Sequence, residues 1–352
     1  MSDAPQPPTA GCRIRDPGPT DGIGPPTCNE LYAQLRTVDD PILGDDIVSL
    51  GLVDDVSVDC ELIVVEMGLY APYAPNERQI VEDVHDALRF FNRKVVTAVG
   101  ENGRMRSRTG GLAGVRNVVP IVGVGDAADD STVATNVAFA LSRIGARVGV
   151  LELDADRIGS DETVGRVATA ATTSGVPATV HGVSVAMART VEHAVTGIDW
   201  GGLDYLFVDV PADRDGTLET LFDRFPTVNP VVTIDRSASM TDVRNRLDRL
   251  TEWGITPLGA IETTGGPIRE ERRSRFGHTV GNGITEEVEL STFGRIPDTA
   301  AIGSGRETSI VWAGHELSTV FDSIASGIAN AVGAMGRRAH AERTRGLGSG
   351  PR

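Results

Sequence analysis

The sequence predicts an α/β protein: a mainly parallel sheet with helices on both faces, preceded by a small α+β domain. Three observations carry that expectation. Beyond residue 117, the short apolar runs VVPIVGV, RVGVLEL, DYLFVDV, PVVTI and PLGAIE alternate with stretches of helical period. Uninterrupted runs of this kind suit parallel strands buried on both faces. Upstream, residues 29–98 mix helical periods with one alternating stretch, the pattern of a compact α+β unit. Between the two lies GENGRMRSRTGGLAG, residues 100–114, whose Gly and Arg content reads as a linker.

Taken in order, residues 1–28 are rich in Pro and Gly with little to bury, which predicts a disordered tail. ELYAQLRTV has a helical period, VSVDCELIVVEMGL alternates like a hairpin, and ERQIVEDVHDALRFF repeats its apolar positions at helical spacing. The expected boundaries are a small domain at 29–98, a linker at 99–116, a large domain at 117–335 with at least seven strands, and a basic, Gly-rich, frayed tail at 336–352.

Composition narrows the function. A net charge of −16 excludes nucleic acid and anionic membrane surfaces as partners, because both would repel the chain. Lys94 is the only lysine, set against 49 carboxylates. Acid excess with almost no lysine is the surface composition of a halophilic cytoplasmic protein. No apolar run reaches transmembrane length, and the N-terminus has prolines where a signal peptide needs an apolar core. Cys12, Cys28 and Cys60 are too few for a disulfide framework.

Several separated blocks carry a resemblance. NVAFALSRIGARVGVLELD, LDYLFVDVPADRDG and FGRIPDTAAIGSGRETSIV resemble successive blocks of the Mrp/ApbC iron–sulfur carrier ATPases, a deviant P-loop group related to MinD and ParA. VDDPILGDDIVSLGLVDDVSV is similar to the signature of the PaaD-like domain often fused ahead of them. The resemblance implies ATP with magnesium, a [4Fe–4S] cluster shared between two subunits through a C-x-x-C motif, and a dimer. It also implies a phosphate loop of the form GKGGVGKST. Aligned back from Ser131 and Thr132 without gaps, the signature lysine falls on Gly125 and the P-loop lysine on Asp130. The flanking glycines fall on Asp126, Ala127 and Asp129. Ser131 takes the magnesium-ligand position and Asp209 the Walker B position; in the family's D-A-D segment the first aspartate becomes Glu152, with Asp154 retained.

Each position also has an ordinary reading. Ser131 suits a helix N-cap, Asp209 a hydrogen-bonded carboxylate at a strand end, and DAADD a solvated acidic loop or a cation site completed from elsewhere. What distinguishes the chain is that no lysine follows Lys94 and no cysteine follows Cys60. A phosphate cradle needs close-approaching glycines and a neutralising lysine, and an Fe–S cluster needs soft thiolates. Two unit charges about 4 Å apart interact by roughly 4 kcal/mol at an effective dielectric of about 20. Exchanging attraction for repulsion swings the contact by about twice that, as much as the roughly 8 kcal/mol of an entire micromolar affinity. Arg143 and Arg147 lie too far along the helix to replace a loop lysine.

After the GAIE strand comes TTGGPIREERRSRFGHT, where His278 reads as an ordinary histidine. In the small domain Ala74 stands at the family's cysteine position, Cys60 reads as a packed thiol, and Cys12 and Cys28 are candidates for a metal or redox role. The expectation is a degenerate Mrp/ApbC-like pseudo-ATPase with no cofactor of its own. It would act through protein contacts, as a homodimer or in a heterodimer with an authentic Mrp/ApbC paralogue, or with other Fe–S assembly proteins. Two alternatives stand beside it: an active ATP-dependent carrier with unconventional ligands, and a regulatory or metal-binding module unrelated to Fe–S.

Overall fold

The structure is a computed structural model. It describes residues 11–14, 26–59, 61–99, 112, 114–124, 130–153, 177–180, 182–188, 190–210, 215–224, 229–235, 238–264, 272–273, 279–280, 284–297 and 317–347. The chain divides into two compact units, one of residues 1–105 with 329–352 and one of residues 106–328.

In the first unit, four strands pair in the order β1 (Gly11–Ile14), β2 (Val53–Val58), β3 (Leu62–Met67), β4 (Lys94–Val99). β2 and β3 form the expected antiparallel hairpin, whereas β1 and β4 run parallel to their neighbours. Helix α1 (Cys28–Leu35) starts at a capping box: Thr27 accepts from the Glu30 backbone N–H, and Glu30 accepts in return from the Thr27 N–H. Helix α2 (Pro75–Leu88) opens on proline, whose missing N–H costs nothing in a first turn. Ile80, Val84 and Leu88 recur at helical spacing and are fully buried with Leu31 and Leu35, Val56, Ile63 and Val65. Their period is what aims one stripe of each helix at the sheet.

Two sequence expectations are corrected here. The tail assigned to residues 1–28 contains β1, and Cys12 is disulfide-bonded to Cys28 with their Cα atoms 6.0 Å apart. Alternation cannot reveal a four-residue strand in a Pro-rich context. The tail assigned to 336–352 is helical as far as Leu347: helix α8 (Ser318–Leu347) continues through it, and its residues from 329 onward belong to the first unit rather than to the large domain. The reason is chemical. Arg337 is fully buried; its Nε donates to Asp40 Oδ2 at 2.5 Å and Nη1 to Glu77 Oε1 at 2.7 Å. Asp40 also accepts from the backbone of Ile42 and Leu43, and Glu77 from that of Tyr70 and Ala71, so both carboxylates are held before the guanidinium arrives. Gly333 and Gly336 permit the approach: a Cβ at Gly333 would lie 2.8 Å from Glu77 Oε1, and one at Gly336 would run into the Tyr70 ring.

The second unit is built on a ten-stranded sheet. Its strands are β5 (Val115–Val124), β6 (Val148–Glu152), β7 (Ala178–Val180), β8 (Val183–Met187), β9 (Leu203–Val210), β10 (Val231–Asp235), β11 (Gly259–Thr264), β12 (Arg272–Arg273), β13 (Thr279–Val280) and β14 (Thr292–Pro297). The order is β12-β13-β14-β11-β10-β5-β9-β6-β8-β7. From β14 through β8, seven consecutive strands are mutually parallel, and only the outer strands β7, β12 and β13 pair antiparallel. This is the α/β class expected. The five apolar runs all became strands, with β5 starting at Val115, inside the stretch assigned to the linker. Of residues 100–114, only Leu112 and Gly114 are described, and Leu112 is buried in the core.

Among the described residues, the helices that follow are α3 (Asp130–Arg143), α4 (Val191–Thr196), α5 (Asp215–Arg224), α6 (Met240–Glu252), α7 (Ile284–Glu287) and α8 (Ser318–Leu347). One sheet face, carrying Val122, Leu206, Val208 and Val232, packs against Val191 and Ala194 of α4, Leu218 and Leu221 of α5 and Val243 of α6. Side chains alternate along a strand, so Ile121, Phe207 and Val150 point to the opposite face. Helix α3 packs on β5, β6, β8 and β9 with Val133, Val137 and Leu141 buried. Helices therefore flank both faces.

Candidate functional site

The central strand β5 leads into residues 125–129, after which α3 begins. Gly125, Asp126, Ala127 and Asp129 lie outside the described residues, as do Asp154, Cys60 and His278. Asp130, Ser131 and Thr132 form the first turn of α3. Ser131 is the second residue of this helix rather than its cap. Thr132 is half-buried, and its carbonyl accepts from the Asn136 side chain at 3.0 Å.

On either side of β5, the register sets the strand ends. Glu152 of β6 pairs with Asp209 of β9, and Asp209 pairs with Ile121 of β5. Paired residues in a parallel ladder point to the same face, so Glu152 and Asp209 share the face on which α3 packs. Glu152 is 4% exposed and Asp209 half-buried. The strand ends are tied together by backbone hydrogen bonds: Leu153 N–H to the Asp209 carbonyl at 3.1 Å, and Ala188 N–H to the Glu152 carbonyl at 2.9 Å. On the other side, Asp235 ends β10 and accepts from the Thr263 hydroxyl at 3.4 Å. The structure thus brings Glu152 and Asp209 together beside the strand that leads to α3. Sequence spacing alone gives no such adjacency, since the two belong to strands separated by more than one crossover.

The charges on these strand ends are carboxylates. The two arginines of this region are committed elsewhere. Arg147 grips Asp204 through its Nε at 3.2 Å, its Nη2 at 2.9 Å and its backbone N–H at 3.0 Å. Arg143 pairs with Asp322. Arg143 is also the last residue of a 14-residue helix, about 20 Å from its first turn at 1.5 Å per residue. Neither arginine is placed at the start of α3, and residues 125–129, which would cradle a triphosphate, lie outside the described residues, so no step through one is derived.

Beyond β11, where the family would place its thiolates, the described residues form a different polar centre. Glu262 is 3% exposed and accepts from Arg295 Nε at 2.5 Å and from the Thr285 hydroxyl at 2.6 Å. Thr292 donates to Thr285 at 2.7 Å. This network joins β11, α7 and β14 and holds no soft ligand. Among the described residues, no group of three or more His, Cys, Asp or Glu side chains is placed to hold a metal ion. Ala74 is fully buried at the residue before α2, and makes no side-chain cap. The metal reading of Cys12 and Cys28 is replaced by their disulfide. The buried Arg337–Asp40–Glu77 network escaped sequence reading, because its members stand up to 297 residues apart. Among the described residues, no helix is long and apolar enough to cross a membrane.

Residues 172–332 match the model of the NUBPL iron-transfer P-loop NTPases, and residues 29–99 match that of the iron–sulfur cluster assembly protein domain. An iron–sulfur cluster carrier protein of Synechocystis is 24% identical over 319 residues, covering 81% of this chain and 90% of the relative. Another, from Deinococcus radiodurans, is 29% identical, covering 66% of this chain and 73% of the relative. The human cytosolic Fe-S cluster assembly factor NUBP2 is 24% identical over 53% of this chain and 81% of its own length. Among solved structures, the MinD cell division protein of Aquifex aeolicus aligns at 17% identity and a TM-score of 0.41, covering 67% of this chain and 99% of that one. By sequence the chain is related to the iron–sulfur cluster carrier P-loop NTPases, with an iron–sulfur cluster assembly domain ahead of the NTPase-type domain.

Proposed function

We propose that the protein is a degenerate member of this group, a pseudo-ATPase that serves iron–sulfur cluster assembly as a binding or regulatory partner. One observation carries the reading: no lysine follows Lys94, so the NTPase-type unit has none to place against a phosphate. The carboxylates Glu152 and Asp209, adjacent at the ends of β6 and β9, and the run of Asp126, Asp129 and Asp130 in the sequence before α3 support the reading, since a phosphate needs positive charge. The lack of any cysteine after Cys60 extends the reading to the cluster, which the large unit has no thiolate to hold. An active carrier using arginine in place of lysine is disfavoured by the ion pairs of Arg143 and Arg147.

In this role the partner is an authentic, ATP-hydrolysing carrier of the same group, met through a heterodimer, or another Fe–S assembly protein. Two measurements test the proposal. After anaerobic reconstitution with iron and sulfide, the purified protein should retain no absorption near 400 nm through desalting. Mixed with an ATP-hydrolysing carrier, it should co-elute as a complex of defined mass in size-exclusion chromatography with light scattering. A bound chromophore in the protein alone would overturn the proposal, and two separate species in the mixture would overturn the heterodimer.

A further inference from the structure

We propose that the Cys12–Cys28 disulfide is a redox latch that holds β1 over the edge of β2, so that reduction opens that edge without unfolding the unit. This inference is independent of the reading of the nucleotide site.

The disulfide links β1 to the first residue of α1. Without it, little would keep β1 in place. Of its four residues only Cys12 packs against the core, while Ile14 is 45% exposed and the Arg13 side chain 60% exposed. Among the described residues, the remaining ties are the short parallel ladder to Asp55–Val58, the Arg13–Asp55 ion pair at 2.5 Å and a hydrogen bond from the Tyr32 hydroxyl to the Gly11 carbonyl at 3.2 Å. Exposed ion pairs contribute little, and a four-residue edge strand is marginal.

The helix end of the link behaves differently. Helix α1 is secured by its own capping box and by fully buried Leu31 and Leu35. β2 itself is held on its far side by the whole β3 ladder, with Val56 fully buried. Breaking the bond therefore frees β1 and leaves the rest in place. Its release would expose a row of β2 backbone groups and leave Asp55 without Arg13; Asp55 Oδ1 already has no hydrogen-bond partner. An edge of this kind is a template for strand addition.

Both cysteines are half-buried, within reach of a small dithiol. A thiolate of the reductant attacks one sulfur, the Cys12–Cys28 bond breaks, and a mixed disulfide forms. The reductant's second thiol resolves it. Two protein thiols result, and the reductant leaves as its own disulfide, having supplied both electrons.

The test uses the full chain. Alkylation with iodoacetamide, read by peptide mass spectrometry, should leave Cys12 and Cys28 unmodified before dithiothreitol and modify both after it. Hydrogen exchange of the β2 peptide should then accelerate about tenfold or more, while that of the β3 and α2 peptides stays unchanged. Cys12→Ser should show the fast β2 exchange even under oxidising conditions. Three results would overturn the latch: both cysteines alkylated before reduction, β2 exchange equal in the two states, or β3 and α2 exchange rising together with β2. The last would make the bond a staple of the whole unit.

Discussion

Arg337 is fully buried and paired with two carboxylates in the first unit. Its two carboxylate partners are nearly inaccessible to water, with Asp40 1% and Glu77 3% exposed. Truncating one partner of a buried network leaves the others uncompensated, at a cost of roughly 3–5 kcal/mol. Arg337→Met should therefore lower the unfolding free energy of this unit by that amount, read from denaturant titration. Restoring neutrality with Asp40→Asn and Glu77→Gln in the same chain should recover part of it. A loss below about 1 kcal/mol would show that the carboxylates find water or another cation. Nearby, the Tyr70 hydroxyl and His340 Nδ1 are 2.8 Å apart, and His340 Nε2 lies 2.7 Å from the Gly51 carbonyl. Burial pushes the Tyr70 phenol up from its ordinary 10 to about 12. A raised folded value means the contribution is complete below pH 10 and is lost as pH rises from 10 through 12. Tyr70→Phe should remove that alkaline component from a plot of stability against pH, leaving the neutral range flat.

Helices show which elements were legible in the sequence. α6 begins at a capping box in which Ser239 accepts from the Asp242 N–H and Asp242 accepts from the Ser239 N–H. The Ser239 hydroxyl also donates to Asp242 Oδ2 at 2.6 Å, and this bond, followed by the one from the Ser239 N–H, holds the Asp242 carboxyl below the ordinary carboxylate range. Ser239→Ala should cost about 1 kcal/mol, as cap removals do, measured by thermal unfolding of the full chain. The cap could be read from the sequence because it depends on residues three apart. The same holds for the buried strands β5, β6, β9, β10 and β11, whose apolar runs announce burial on both faces. β1, β7, β12 and β13 are too short for a period to show, and they form because a neighbouring edge is available. The end of α8 looked like a basic tail. Its helix is stabilised by Asp40 and Glu77, nearly the whole chain length away. At the candidate site, the residue types were legible, whereas the adjacency of Glu152 and Asp209 is a product of strand order alone.

At the scale of the whole molecule, residues 29–99 and 172–332 each match a family model, while the second unit, residues 106–328, contains no lysine and no cysteine. The scaffold does not depend on either. Its packing rests on the seven parallel strands and the helices on their two faces, none of which requires a ligand. The central claim is that this scaffold no longer holds ATP, and isothermal titration calorimetry with magnesium and ATP in high salt tests it most directly. Molar salt shortens the screening length to roughly 3 Å and gives binding its best chance. The account predicts no affinity tighter than about millimolar, roughly 4 kcal/mol, and a partial gain in the Asp129→Gly, Asp130→Lys double variant. Micromolar binding by the unaltered protein would contradict it.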